Sequence, residues 1–267
     1  MALERVAREG LVLLGCGKMG SALLAGWLQA GVPAASVWVI EPNPSDWLKG
    51  AGVHLNEGVP PAPAVALLAV KPQMMGAALP ALQALGNGRT LFVSIAAGTT
   101  IAAFEAALGD RTPIVRTMPN TPAMVNRGIT ALCRNAHVPD ADMELAVALM
   151  AAVGETVILE GEHQIDAVTA VSGSGPAYVF HLIEAMAAAG EAEGLAPEVA
   201  MKLARATVSG AGELAHRSGE SAAQLRVNVT SPGGTTAAAL AVLMPELPGL
   251  MGRAVKAAAD RGRELGK

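Results

Sequence analysis

The sequence predicts an α/β domain followed by an all-helical one. Short apolar runs alternate with helix-like segments through the first 160 residues, and beyond Gly161 almost no β-patterned run occurs. The stretch LVLLGCGKMG, residues 11–20, says which α/β domain to expect. Four apolar residues read as a buried strand. Gly15, Gly17 and Gly20 follow as G-x-G-x-x-G, and residues 21–30 read as a helix closed by Gly31 and Pro33. This strand–turn–helix context is that of a dinucleotide fingerprint. Gly15 permits a tight turn, Gly17 lets the backbone approach a pyrophosphate, and Gly20 lets the helix pack on the strand. Unpaired N–H groups at the helix start then hold the anion. Glu41 ends a second apolar run, Val37–Ile40, and lies 21 residues past Gly20, the spacing of an acid that meets the ribose. A Rossmann domain over residues 1–160 and a helical domain over residues 161–267 are therefore expected.

The other elements follow in order. A turn at residues 42–44 leads to a short helix ending at Gly50. Residues 65–70 (VALLAV) are a third buried strand, 74–85 a helix, and 91–95 (LFVSI) a fourth strand before AAGTT and another helix. Residues 113–116 are a fifth strand, and 129–133 and 156–159 are later strands around a helix at 141–153. Such alternation predicts a parallel sheet covered on both faces. Ligands of these sheets sit outside the carboxyl ends of the strands, so Lys71, Ala96, Ala97 and Asn120 share a rim with the glycine turn. In the second domain, residues 178–189, 197–214, 221–227, 235–243 and 248–265 read as helices punctuated by Gly and Pro.

Composition narrows the function classes. The chain is 52% hydrophobic with mean hydropathy +0.40. No apolar run is read as reaching the roughly 18 residues of a membrane span. The N-terminus lacks the apolar core of a signal peptide. A soluble, cytoplasmic chain without a membrane partner is expected, and its apolarity predicts subunit association. A net charge of −4 without charge runs argues against a nucleic-acid partner. Two cysteines, Cys16 and Cys133, fit a reducing compartment. Five histidines without metal-ligand spacing predict no metal.

Two stretches of the helical domain stand out. Within residues 166–178 (DAVTAVSGSGPAY), the glycines read either as close packing at a domain junction or as a ligand contact. A serine nucleophile elbow is rejected, because Ser172 and Pro176 stand where glycines are required. In residues 228–236 (NVTSPGGTT), a Pro-Gly-Gly turn precedes a helix start. Free N–H groups and the hydroxyls of Ser231, Thr235 and Thr236 would gather there. The stretch reads as a carboxylate-sized anion site or as a plain Ser/Thr cap.

Taken together, GCGKMG, AVKPQ, SIAAGTT, MPNTP, DAVTAVSGSGPAY and NVTSPGGTTAAAL, in this order, resemble the pyrroline-5-carboxylate reductase family over nearly the whole chain. The resemblance implies reduction of L-1-pyrroline-5-carboxylate, a cyclic imine, to L-proline by hydride from NAD(P)H. It also implies a Rossmann domain, a helical domain interlocked with that of a second subunit, and dimers that can assemble into decamers. By the same resemblance, Gly15, Gly17, Lys18, Met19 and Gly20 form the pyrophosphate loop, and Asn43 and Asn56 lie on the adenosine side. Val70, Lys71, Pro72, Ala96 and Ala97 line the cofactor towards its nicotinamide. Ser231, Gly233, Gly234, Thr235 and Thr236 hold the substrate carboxylate, with Thr236 placed to hydrogen-bond the ring nitrogen. Glu41 points to NAD by the ribose rule. Asn43 and the resemblance allow NADP, so NADPH is the expected donor and NADH the alternative. Two rivals are a β-hydroxyacid dehydrogenase and a non-catalytic NADP-binding regulatory subunit. The first resembles this layout but relies on a helical lysine, and Val179 stands at that place with no lysine until Lys202. The second needs no anion loop.

Overall fold

Strand β1 (Leu11–Leu14) carries no polar side chain and is buried along its whole length. Its alternate residues serve two cores. Leu11 and Leu13 pack on one face of the sheet, and Val12 and Leu14 on the other. The computed structural model, which describes residues 2–266, builds outward from this strand. Helix α1 (Ala2–Glu9) precedes it. There follow α2 (Lys18–Gln29), β2 (Val37–Ile40), α3 (Asp46–Lys49), β3 (His54–Leu55), β4 (Val65–Leu68), α4 (Pro72–Ala78), β5 (Leu91–Ser94) and α5 (Ile101–Leu108). Then come β6 (Ile114–Met118), β7 (Gly128–Arg134), α6 (Asp140–Ala151) and β8 (Gly154–Ile158). The eight strands lie in the order β3-β2-β1-β4-β5-β6-β7-β8. The order reverses between β1 and β4, the switch point where such sheets hold ligands. On one face, the buried Trp27 of α2 donates its ring N–H to the Leu149 carbonyl of α6 at 2.8 Å, so a large apolar ring is fastened at its one polar atom.

The expected Rossmann sheet is present, with several differences in detail. Strand β7 runs antiparallel to β6, not parallel. Residues 119–127 between them hold only a 3₁₀ turn, too short for the crossover a parallel neighbour needs. Residues 74–85 are not one helix: α4 ends at Ala78, and Leu79–Leu85 is 3₁₀, with Pro80 unable to donate to the preceding turn. Helix α2 starts at Lys18, three residues before the expected start. The sequence reading missed α1 and the two-residue β3 altogether.

Beyond β8 the chain is helical: α7 (Ile165–Val168), a π turn over Thr169–Gly173, α8 (Gly175–Ala192), α9 (Pro197–Arg217), α10 (Ala222–Asn228) and α11 (Thr235–Leu265). The two helices expected over 235–265 are one. Pro245 and Pro248 lie inside α11. Each proline removes one hydrogen bond at a cost of about 3 kcal/mol, but both fall within one turn and long helical stretches flank them. Continuity also lengthens the apolar stretch beyond what either half offers. Among the described residues, α11 is long and apolar enough to cross a membrane by length and composition, with none of its apolar window buried.

Contacts divide the chain into two compact units. One contains residues up to 173 together with those from 258 on, and the other residues 174–257. In the second unit α8 and α9 pack through small residues, Ala187, Ala200 and Ala204. Large apolar side chains stay exposed there, among them Phe180 (60%), Leu203, Val242 and Leu250.

Cys133 on β7 is 2% exposed. Burial chiefly, and the Glu162 carboxylate next, push its thiol up to about 11, with Arg116 opposing. The unfolded chain therefore loses this proton first as pH rises, so this thiol's contribution makes stability fall between pH about 9 and 11. Chemical denaturation across that range should show the decline, and it should be shallower in Cys133→Ala. An equal slope in the variant would assign the decline to other groups.

Candidate functional site

The turn after β1 has a backbone shape that side chains resist. Gly15 has φ +88°, and a Cβ there would lie 2.8 Å from Val70 Cγ1 and 3.0 Å from the Ala69 backbone. A Cβ on Gly20 would stand 2.7 Å from the Gly15 carbonyl oxygen. Glycine at these two positions lets α2 and the start of the segment after β4 close on the turn. At Gly17 a Cβ would meet no atom within 4 Å, so the space beside this backbone is free for a ligand. The first amide of α2 to bond back along the chain is that of Ser21, to the Gly17 carbonyl at 2.8 Å. The Lys18, Met19 and Gly20 N–H groups precede it and have no intrahelical acceptor, and no acid sits in the first turn. This is the geometry of an anion site.

Glu41 holds the turn from the next strand. Its Oε2 accepts from the Cys16 N–H at 2.8 Å and its Oε1 from the Asn43 N–H at 2.9 Å. The Glu41 backbone is clamped in turn by Asn56, which accepts from Glu41 N–H and donates to the Glu41 carbonyl, both at 2.9 Å. Asn56 adopts φ +56°, a conformation asparagine tolerates better than most residues. The acid read from the sequence as a ribose partner is thus a two-armed brace. Burial, with help from Glu41, also raises the Cys16 thiol, while its contact with Ser21 opposes that. Cys16 is held as a neutral, compact side chain beneath the turn.

These residues open onto a cavity of about 710 Å³ at the carboxyl ends of β1, β2 and β4. Of the expected cofactor residues, Gly15, Gly17, Asn43, Asn56, Val70 and Lys71 line it. An aliphatic wall the sequence reading did not name, including Ile40, Met74 and Ala78, completes it. Lys71 brings a cation, and the wall suits a flat ring. The donor set therefore fits a dinucleotide. Lys18, Met19 and Gly20 stand at the start of α2 and Pro72 at that of α4, outside the lining. Ala96 is buried and its N–H donates to Ser94 Oγ, while Ala97 is exposed on the loop after β5. Asn120 does not line the cavity either: its side-chain oxygen accepts from the Ile129 N–H at 2.9 Å and braces the start of β7.

In the other unit, the turn between α10 and α11 closes with Gly234 N–H donating to the Ser231 carbonyl at 3.1 Å, and Gly233 takes φ +68°. Helix α11 starts at Thr235, and the first amide to bond back is that of Ala238, to Gly234. The Thr235, Thr236 and Ala237 N–H groups are therefore available at the helix start. Ser231 and Thr235 are exposed and Thr236 half-buried. An apolar groove of about 430 Å³ between α10 and α11, with Arg226 and Thr230 at its wall, adjoins the turn. The SGSGP stretch, residues 172–176, runs from the end of the π turn into the start of α8, and the buried Ser172 Oγ has no hydrogen-bond partner.

Comparison with known proteins places this pair of stretches. Residues 162–265 match the family described as "Pyrroline-5-carboxylate reductase dimerisation", and residues 10–98 match "NADP oxidoreductase coenzyme F420-dependent". The pyrroline-5-carboxylate reductase of Pseudomonas aeruginosa is 43% identical over 262 residues, 96% of each chain. The solved structure of a pyrroline-5-carboxylate reductase from Coxiella burnetii superposes with a TM-score of 0.92 at 36% identity, covering 97% of this chain and 99% of that one. A Plasmodium falciparum pyrroline carboxylate reductase with NADP bound gives 0.82 at 29%, covering 97% and 98%. With relatives this similar along nearly its full length, the chain belongs to the pyrroline-5-carboxylate reductase family.

Proposed function

We propose that this protein reduces L-1-pyrroline-5-carboxylate to L-proline with NAD(P)H, and that its two loops divide the work. The observation that carries the reading is the SPGGTT turn, which offers helix-start N–H groups and three hydroxyls in a chain that also has a braced dinucleotide cavity. The bound reduced nicotinamide supplies the hydride to the C=N carbon. The N–H groups of Lys18, Met19 and Gly20 hold the pyrophosphate, Asn43 and Asn56 the adenosine side, and Val70, Lys71, Pro72, Ala96 and Ala97 the approach to the nicotinamide. Ser231, Gly233, Gly234, Thr235 and Thr236 pin the substrate carboxylate. The Thr236 hydroxyl stays within reach of the ring nitrogen, which takes up a proton as the carbon takes the hydride. An imine nitrogen is basic enough that a hydroxyl or a water can serve, so orientation is the larger task.

The second substrate distinguishes this reading from a β-hydroxyacid dehydrogenase or a cofactor sensor. Nicotinamide oxidation should start on adding pyrroline-5-carboxylate and not on adding a β-semialdehyde acid, with proline formed in equal amount. Oxidation with the semialdehyde acid alone would overturn the reading. NADPH is the expected donor over NADH. The family resemblance and the match of residues 10–98 to an NADP oxidoreductase family support that order. A ratio of kcat/KM well in favour of NADH would reverse it.

The exposed apolar faces of α8, α9 and α11 support a dimer with interlocked helical parts, which can assemble into a decamer. The same covering suits α11 to a soluble, cytoplasmic protein. Light scattering should report a dimer or larger, and a fully active monomer would contradict this. Thr236→Ala should lower kcat about 100-fold with unchanged circular dichroism, and Thr236→Ser should recover most of the loss. Glu41→Gln leaves one backbone N–H without its acceptor, about 1 kcal/mol, and should raise KM for the cofactor about fivefold at similar kcat. An unchanged KM would remove the brace from cofactor binding.

A further inference from the structure

We propose that Glu162 is a positioning residue for hydride transfer: held by the buried Arg116, it fixes the loop after β5 against the nicotinamide end of the cofactor. The proposal rests on the dinucleotide reading of the cavity. β4 and β5 lie side by side with Leu68 opposite Ser94, and Ile95 N–H donates to the Leu68 carbonyl at 3.1 Å. The two strands therefore release their chains together. One release, Ala69 to Lys71, lines the cavity. The other, residues 96–100, stands one strand further from the glycine turn. A dinucleotide with its adenosine end near β2 and its pyrophosphate at β1 runs across β4 towards this loop.

The loop is held at both ends. At its start, Ser94 Oγ accepts from Ala96 N–H at 3.2 Å. At its end, Thr100 caps α5 by accepting from Ala103 N–H at 3.2 Å. A cap of this kind satisfies one N–H of the helix start and leaves that of Ile101 in need of an acceptor. Glu162 adds a second restraint from 61 residues away: its Oε1 accepts from Ile101 N–H at 2.8 Å. The same oxygen receives Arg116 Nη1 at 2.6 Å. Arg116 projects from β6, the neighbour of β5, and is 5% exposed, with its Nε buried and unpartnered. A buried guanidinium is costly to desolvate and an apolar side chain would suit the core better. What the ion pair supplies is direction. It fixes one carboxylate oxygen at one point, and that point sets where the loop ends. The sequence gives no sign of this, since neither residue lies in a recognisable motif.

The test uses the full-length protein with Glu162→Gln, which keeps an acceptor for Ile101 but loses the charge match to Arg116, and Glu162→Ala, which loses both. Three quantities are read: amide hydrogen exchange over residues 96–101, the cofactor dissociation constant by nicotinamide fluorescence, and the primary deuterium isotope effect on kcat. Expected are faster exchange of the loop, cofactor affinity within about twofold, kcat lowered about tenfold or more, and a larger isotope effect, with Gln milder than Ala. A variant that merely folds less well would lose kcat in proportion to its folded fraction, with KM and the isotope effect unmoved, and that result would overturn the proposal. Unchanged exchange would overturn it too. The exchange measurement needs no substrate, so it decides whether Glu162 holds the loop even if the wild type proves inactive on pyrroline-5-carboxylate, a result that would instead refute the assigned activity.

Discussion

A single carboxylate organises the cofactor side of this protein. Glu41 accepts from the amide beneath the glycine turn with one oxygen and from the amide after β2 with the other. The turn needs such support because its own chemistry is unfavourable. Gly15 sits at positive φ, and the first amides of the next helix have no intrahelical acceptor beside open space at Gly17. Without a brace, that loop would gain freedom that cofactor binding must then remove. Asn56 supports Glu41 in turn through both polar atoms of its side-chain amide, so Cys16, Glu41 and Asn56, from the segments after β1, β2 and β3, form one continuous clamp.

The same principle recurs at the next rim position. The loop after β5 is tied by Ser94, Thr100 and Glu162, and the last is itself tied by a buried arginine. In both places the backbone presented to the ligand is shaped by carboxylates that never need to touch it. The helical unit follows a different logic. Its SPGGTT turn leads into a helix start with no side-chain brace of that kind among the described residues, and its large side chains, Phe180 and Leu250 among them, face outward. A unit built from alanine-rich helices that leave their large residues exposed is incomplete until another apolar surface covers them.

Much of this was legible in the sequence because it depends on local chemistry. The glycine spacing needs a strand before it and a helix after it, and both can be read from residues 11 to 30. The SPGGTT turn announces a helix start by the same local rules. What escaped reading depends on distance or on competing costs. The β6–β7 pairing is antiparallel because their connection is too short for a parallel crossover, a length that depends on strand ends the pattern of residues does not fix. Helix α11 runs through Pro245 and Pro248, where propensity argues for a break. Glu41 sits at the ribose spacing, and its further role as a brace for two backbone amides could not be read from that spacing. Arg116 and Glu162 meet across 46 residues, and no pattern joins them.

A crystal of the protein grown with NADP and a non-reducible proline mimic tests the central claim most directly. The account predicts the dinucleotide in the cavity under the glycine turn, and the mimic's carboxylate against the N–H groups and hydroxyls of Ser231, Thr235 and Thr236. A mimic bound with its carboxylate anywhere else, or a cofactor lying away from Gly17, would contradict it.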